Sequence, residues 1–273
     1  MEKLKFWKMS GSGNDFILVD NRNGNIAEED MGRVAARACR RRESVGADGM
    51  IFIIGSDQYD FAWRFFNADG GEAEMCGNGS RCAARFAYLN GIAGSSMTFV
   101  TIAGPISAEV SDRVVKVLMP VPFGLKTDID IPLESGWINI NFINTGVPHV
   151  VVQVEGLKDI PVFEQGRALR YHSMFAPEGT NANFMSVRGR DYIYVRTYER
   201  GVENETMACG TGAIASSLIA NVKGLVTSPV KVLTSGGEEL TIHFTRENSH
   251  FKKVWLEGNT SIIYKADMHE EAL

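Results

Sequence analysis

Residues 72–79 read EAEMCGNG and residues 205–212 read ETMACGTG, so one short segment recurs at an offset of 133 positions (209 − 76). Three further pairs of glycines obey the same offset: Gly13 and Gly146, Gly91 and Gly224, and Gly104 and Gly237. Self-similarity at a fixed offset is the signature of an internal repeat. The sequence therefore predicts two copies of one unit, which together fill nearly all of the 273 residues.

Each copy places a glycine-rich turn directly before an apolar segment with helical spacing. These segments, residues 80–90 and 213–223, are each followed by a glycine, as helices commonly are. The second segment carries almost no charge, and a helix without a polar face has to be enclosed on all sides. We therefore expect a central helix with strands folded around it in the second copy. Arg81 and Arg85 predict a less enclosed helix in the first copy.

Alternating apolar and polar residues after each helix predict strand pairs. The paired segments are residues 106–110 with 114–118, and residues 240–244 with 254–256. This pattern indicates an α/β (α+β) fold of two pseudo-symmetric domains that arose by internal duplication. Each domain is expected to wrap a β-sheet around a central helix.

Two prolines mark the expected boundary between the copies. Pro120 and Pro122, followed by Gly124, interrupt the strand pattern. The first domain is therefore expected to cover residues 1–121, and the second residues 122–264.

The composition is that of a globular protein, with 44% hydrophobic and 22% charged residues. Lysine and arginine number 28 against 33 aspartates and glutamates, for a net charge of −5, and both signs are interspersed. We therefore expect neither a nucleic-acid partner nor a membrane partner. Apolar runs stay far below the roughly 18 residues of a membrane span. The first residues lack the pattern of a signal peptide, which predicts a cytoplasmic location.

Four scattered cysteines are too few for a disulfide framework and are expected to be thiols. Cys76 and Cys209 stand at the mouths of the two predicted helices, where unpaired backbone N–H groups and the helix dipole lower a thiol pKa from about 8.5 toward neutrality. Cys39 and Cys82 fall inside helical patterns and are interpreted as small buried hydrophobic residues. The repeat thus predicts two reactive thiols at equivalent positions.

Two equivalent thiols suggest the inversion of a stereocentre. One thiolate would remove a proton from one face of a carbon while the other thiol delivers a proton to the opposite face, and the roles exchange in the reverse direction. This chemistry needs no cofactor and no metal. The site itself must then stabilise the carbanion, with backbone amides directed at the substrate carboxylate and with water excluded.

Five motifs, in order, resemble those of the diaminopimelate epimerase family: MSGSGNDF (9–16), FNADG (66–70), EMCGNGSRC (74–82), ERG (199–201) and ACGTG (208–212). The resemblance implies a PLP-independent isomerase of amino-acid biosynthesis that interconverts L,L- and meso-2,6-diaminopimelate, on the route to lysine and peptidoglycan. It also implies a small-molecule substrate, a homodimer, and two domains that close over the substrate. The last residues, 265–273, would return to the first domain.

The resemblance also assigns roles to single residues. Cys76 and Cys209 would be the base and the acid, and His149 and Glu199 would assist them. The implied substrate-binding residues are Asn14, Asn67, Gly77 and Asn78 in the first half and Asn181, Glu199, Arg200, Gly210 and Thr211 in the second. Their chemistry agrees, because amides suit an amino acid head group and a guanidinium suits a carboxylate.

The residues by themselves leave other interpretations open. His149 also fits a buried core histidine, and asparagines beside glycines are often turn residues. Gly210 begins the segment GTGAIA, which formally matches a dinucleotide fingerprint but lacks the preceding strand and the acidic residue about 20 positions later. A Cys-His hydrolase, a related racemase or phenazine-pathway isomerase, and a non-enzymatic amino acid binder are the further alternatives. Val147 and Gly49 stand where some family members carry polar side chains that contact substrate.

Overall fold

A computed structural model describes residues 4–248 and 250–272. Contacts among residues divide the chain into two compact units. The first contains the described residues up to Val117 and those from Gly258 onward, and the second is Leu118–Glu257. The division into domains after residues 121 and 264 stays a prediction of the sequence.

The first unit consists of strands that alternate with two helices. Its elements in chain order are β1 (Leu4–Gly11), β2 (Asn14–Asp20), α1 (Glu28–Ala38), β3 (Gly49–Ile54), β4 (Phe61–Asn67), α2 (Gly77–Leu89), β5 (Ser96–Thr101), β6 (Gly104–Ser111) and β7 (Val114–Leu118). The strands pair in chain order, and the pairs β2–β3 and β4–β5, each joined by a helix, are parallel.

The second unit repeats this scheme. Its elements are β8 (Phe123–Leu133), β9 (Gly136–Asn144), β10 (Pro148–Gln153), α3 (Val162–Arg170), β11 (Asn181–Gly189), β12 (Tyr192–Glu199), β13 (Asn204–Thr206), α4 (Gly210–Val222), β14 (Val230–Thr234) and β15 (Glu239–Glu247). The parallel pairs are again the two joined by helices, β10–β11 and β12–β14. Equal positions of the parallel pairs in both units support the predicted duplication.

The last strand, β16 (His250–Met268), begins in the second unit and ends in the first. Its first part pairs with β15, and its last part pairs antiparallel with β1, where Leu4 lies opposite Met268. Short 3₁₀ turns at Leu157–Asp159, Ser173–Phe175 and Glu270–Ala272 complete the described elements.

The helix of the second copy is central in its unit, as the absence of charge predicts. Helix α4 packs against β9, β10, β11, β12, β14 and β15, and its side chains from Gly212 to Ala220 are buried. Both strand pairs predicted after the helices are present and antiparallel. The two helices begin three residues earlier than predicted, because Cys76 and Cys209 take the extended N-cap conformation and the glycines form the first turn.

The expectation of a less enclosed helix in the first copy is wrong. Helix α2 packs against β1, β2, β3 and β6, and it is buried from Asn78 to Ala87. Arg81 is fully buried and hydrogen-bonds to Ser12. Arg85 is also buried, and it donates to the carbonyl oxygen of Thr260 at 2.7 Å. A guanidinium is tolerated inside because oxygen acceptors replace the water that it loses.

Enclosure of the helices predicts where truncation is costly. Leu218→Ala in α4 removes a fully buried side chain and should lower the free energy of unfolding by about 2–5 kcal/mol. Leu89→Ala at the end of α2 makes the same change at a position that is 44% exposed and should cost less than about 1 kcal/mol. Urea unfolding followed by circular dichroism measures both values. Equal losses would contradict the central position of α4.

Candidate active site

Cys76 is the N-cap of α2, and it is half-buried. Its Sγ accepts a hydrogen bond from the backbone N–H of Gly79 at 3.4 Å. Gly77 and Asn78 form the first turn, where backbone N–H groups lack partners within the helix. The thiol therefore lies among donors that attract negative charge.

A directed chain of hydrogen bonds links two predicted residues of the first unit, Asn14 and Asn78. Arg81 donates to Oδ1 of Asn78 at 2.8 Å, Nδ2 of Asn78 donates to Oδ1 of Asn14 at 2.7 Å, and Nδ2 of Asn14 donates to Asp48 at 3.0 Å. A guanidinium only donates and a carboxylate only accepts, so the two ends fix the orientation of both amides. Asp48 in turn pairs with Arg41 at 2.8 Å.

Asn67 is placed near this chain but is not part of it. It is the last residue of β4, lies opposite Gly49, and is exposed. The next backbone N–H, that of Ala68, donates to the carbonyl oxygen of Asp48 at 3.1 Å. The structure thus joins Asn14 to Asn78, in the first turn of the helix that Cys76 caps, and leaves Asn67 exposed at the end of its strand.

Cys209 is the N-cap of α4 and is buried. Its Sγ lies 3.5 Å from the hydroxyl of Thr211. Gly210 and Thr211 form the first turn of the helix, and Thr145 donates to the carbonyl oxygen of Thr211 at 3.1 Å. The predicted residues Gly210 and Thr211 are therefore the immediate neighbours of the second thiol.

The sequence-based expectation that the helix N-terminus lowers the pKa of Cys209 is wrong. Burial, and to a lesser degree the nearby charge of Glu199, raises the pKa of the Cys209 thiol to about 12. Hydrogen bonds from Thr211 and from the Gly212 backbone act in the opposite direction and are outweighed. Burial also raises the pKa of the Glu199 carboxyl. Burial destabilises the thiolate by removing its water, and the hydrogen bonds of the first helical turn do not compensate for that loss.

His149 lies on β10 and is fully buried. Its Nδ1 is 3.1 Å from Nδ2 of Asn183, on the neighbouring strand β11. Burial, together with the positive charge of Arg200, lowers the pKa of His149 to about 3. The imidazole is therefore neutral at ordinary pH.

Asn181 and Arg200 meet beside this histidine. Asn181 lies opposite His149 in the parallel pairing of β10 and β11. Its Oδ1 accepts from the backbone N–H of Arg200 at 2.9 Å, and its Nδ2 donates to the carbonyl oxygen of Pro148 at 3.0 Å. The guanidinium of Arg200 donates to the carbonyl oxygen of Glu178 at 3.2 Å. The structure thus brings the predicted residues His149, Asn181 and Arg200 together.

Comparison with known proteins identifies the family of this chain. A family model described as diaminopimelate epimerase matches residues 6–122 and 141–262. The chain belongs to the diaminopimelate epimerase family. A diaminopimelate epimerase from Aquifex aeolicus (strain VF5) is 45% identical over 284 residues, covering 99% of each chain. Another from Methanothrix thermoacetophila is 40% identical over 287 residues, covering 100% of this chain and 99% of the relative.

Solved structures show the same fold at low sequence identity. A Bacillus anthracis phenazine biosynthesis protein of the PhzF family superposes with a TM-score of 0.75 at 17% identity, covering 98% of this chain and 100% of that one. The predicted fold class is thereby confirmed, whereas the predicted family is confirmed by the family model and the sequence relatives. Across residues 4–248 and 250–272, no helix is long and apolar enough to cross a membrane. The same residues contain no group of three His, Cys, Asp or Glu side chains that could hold a metal ion.

Sequence reasoning missed Asp48, Arg81 and Asn183, each of which contacts a predicted residue of this diaminopimelate epimerase family member. It also missed Thr197, which holds Asn183. A signal existed for Asn183, because Asn181 and Asn183 are two apart and therefore share one face of a strand. Arg81 offered a signal too, because it lies in the motif EMCGNGSRC three residues after Asn78, and residues three apart are neighbours on a helix.

Alkylation of Cys209 should respond to the charge of Glu199. Glu199→Gln removes a negative charge that raises the Cys209 pKa, so the thiolate fraction and the alkylation rate at pH 8 should increase several-fold. Peptide mass spectrometry after timed exposure to iodoacetamide measures this rate. Cys39 is the internal control, because burial also raises its pKa to about 12 and Glu199 does not act on it. Equal acceleration at both cysteines would indicate general loosening instead.

Stability should depend on pH through His149. Its pKa is about 3 when folded, below the roughly 6.5 of an unfolded chain, so protonation favours the unfolded state. The contribution is complete above pH 6.5 and is lost as the pH falls from 6.5 toward 3, by about 2 kcal/mol at pH 5. Urea unfolding at pH 7.5 and pH 5 should show a smaller difference for His149→Gln than for the parent. The exposed His250→Gln should behave like the parent, and identical differences in all three proteins would refute the assignment.

Proposed function

We propose that the chain interconverts L,L- and meso-2,6-diaminopimelate by a two-thiol mechanism that needs no cofactor. The observation that carries the proposal is the equivalent placement of two cysteines, each the N-cap of an enclosed helix. Membership of the diaminopimelate epimerase family supports the substrate. A homodimer and a cytoplasmic location remain predictions of the sequence.

In this mechanism, Cys76 and Cys209 act on opposite faces of one α carbon. One is a thiolate that accepts the α proton, and the other is a thiol that donates a proton to the opposite face. Either order is possible, so the reaction runs in both directions. The N–H groups in the first turns of α2 and α4 would bind the α-carboxylate and stabilise the charge that develops during proton removal.

The other predicted residues would hold the substrate. Asn14 and Asn78 each have a fixed amide orientation, which leaves an N–H and an oxygen lone pair to read an amino group and a carboxylate. Asn67, Asn181 and Arg200 would contribute further polar contacts. Glu199 would act on Cys209, because its charge raises the pKa of that thiol and favours the protonated, proton-donating form.

Proton NMR in deuterated water tests the proposal. L,L-Diaminopimelate incubated with the reduced protein, free of PLP and metal, should lose its α-hydrogen signal as the meso isomer forms. Cys76→Ala and Cys209→Ala should each lower the rate of interconversion by at least about 100-fold, because each removes one of the two proton-transfer groups.

Cys39→Ala is the matched control, because it removes a buried thiol that lies outside both helix N-termini. It should retain the parent rate. Interconversion that survives in both Cys76→Ala and Cys209→Ala would refute the two-thiol mechanism. A folded parent protein that exchanges no α-hydrogen would refute the substrate.

A further inference from the structure

The amide of Asn183 is held in one orientation. Its Oδ1 accepts a hydrogen bond from the hydroxyl of Thr197 at 2.9 Å, and its Nδ2 donates to the carbonyl oxygen of Val150 at 2.8 Å. A carbonyl oxygen accepts and never donates, so the amide nitrogen has to face Val150. Asn183 is fully buried, which keeps water from competing for these bonds.

The second N–H of this amide determines which nitrogen of His149 carries the proton. Nδ2 of Asn183 lies 3.1 Å from Nδ1 of the imidazole. An amide nitrogen only donates, so Nδ1 has to accept. A neutral imidazole carries its single proton on the other nitrogen, which here is Nε2. The low pKa of His149 keeps the ring in this neutral form.

Nε2 of His149 is itself buried, and within the described part of the chain it has no hydrogen-bond partner. A buried donor that makes no hydrogen bond costs about 1–3 kcal/mol. Such donors are rare in folded proteins and call for an explanation. The explanation that we adopt is that this N–H donates to a group of the bound substrate.

We propose that Asn183 is a positioning residue that fixes His149 as the tautomer with its proton on Nε2. His149 then enters the reaction as a hydrogen-bond donor to a negatively charged group, and not as the base that takes a proton. The catalytic consequence rests on the proposed function, whereas the tautomer does not. Gly212 leaves room for this arrangement, because a Cβ at that position would overlap Oδ1 of Asn183.

Nitrogen-15 NMR of the parent protein, labelled at histidine, tests the tautomer directly. At pH 7.5 the resonances of His149 should report a protonated Nε2 and an unprotonated Nδ1. Loss of these resonances in His149→Gln assigns them. A proton on Nδ1 would overturn the proposal, and this measurement decides the point even if no Asn183 variant folds.

Asn183→Asp tests the positioning role. A carboxylate at this place accepts from Nδ1, so the proton should move to Nδ1 and the donor at Nε2 should be lost from the neutral ring. Loss of one preorganised donor should lower kcat by about 100-fold, with little change in KM. An unchanged tautomer in the folded variant would overturn the proposal.

Asn141→Asp is the matched control. Asn141 is also buried, and its Nδ2 donates to the carbonyl oxygen of the next residue of β10, Val151, at 3.3 Å. Like Asn183→Asp, this variant replaces an amide that donates to a backbone carbonyl of β10 with a carboxylate. Asn141 does not hydrogen-bond to His149, so the tautomer and kcat should stay as in the parent. Equal losses of kcat in both variants would show a structural effect and refute the positioning role.

The outcomes separate this proposal from the proposed function. A parent protein without epimerase activity but with the proton on Nε2 would refute the proposed function and retain the tautomer. An active parent whose Asn183→Asp variant changes tautomer at full kcat would retain the proposed function and refute the catalytic role of the donor.

Discussion

Enclosure of two helix N-termini is the constraint on which the rest of the structure depends. The first turn of a helix exposes backbone N–H groups that need acceptors, and strands surround both α2 and α4. Polar groups near those turns therefore have to form hydrogen bonds with one another or with a bound ligand. This requirement accounts for the cysteine N-caps, for the hydrogen bonds of Asn14 and Asn78, and for those of Asn181 and Asn183 on β11.

The two units meet this requirement with different chemistry. At α2, a buried guanidinium and a carboxylate fix the amides between them, so charge sets the direction of the hydrogen bonds. At α4, neutral partners do the same task, since Thr197 and the backbone of β10 hold Asn183. The duplicated framework is thus symmetric in topology and asymmetric in electrostatics. An asymmetric pair of environments suits the proposed mechanism, in which one thiol would be ionised while the other is protonated.

Much of the fold could be read from the sequence, because its signals are local and occur twice. The recurring segment located both N-cap cysteines, and the lack of charge on α4 predicted its enclosure. Arg81 and Arg85 misled the same reasoning, because charge on a helix does not reveal an acceptor 69 or 175 positions away. The prediction of a lowered pKa for Cys209 was wrong for a related reason. The helix dipole acts locally, whereas desolvation depends on every element that covers the thiol. The spacing of Asn183 from Asn181 placed both on one face of a strand, but the contact of Asn183 with His149 depends on the pairing of two strands, which the sequence does not show.

The course of β16 has a consequence for how the protein is made. Strand β1 includes Leu4, and its partner across the sheet includes Met268. A ribosome therefore has to synthesise the whole second unit and continue to Met268 before β1 receives this neighbour. During that interval the edge of β1 stays open to other strands. Completion of the first unit is thus delayed until the residues from Gly258 to Met268 have been synthesised, although the strands before Val117 emerge ahead of the second unit.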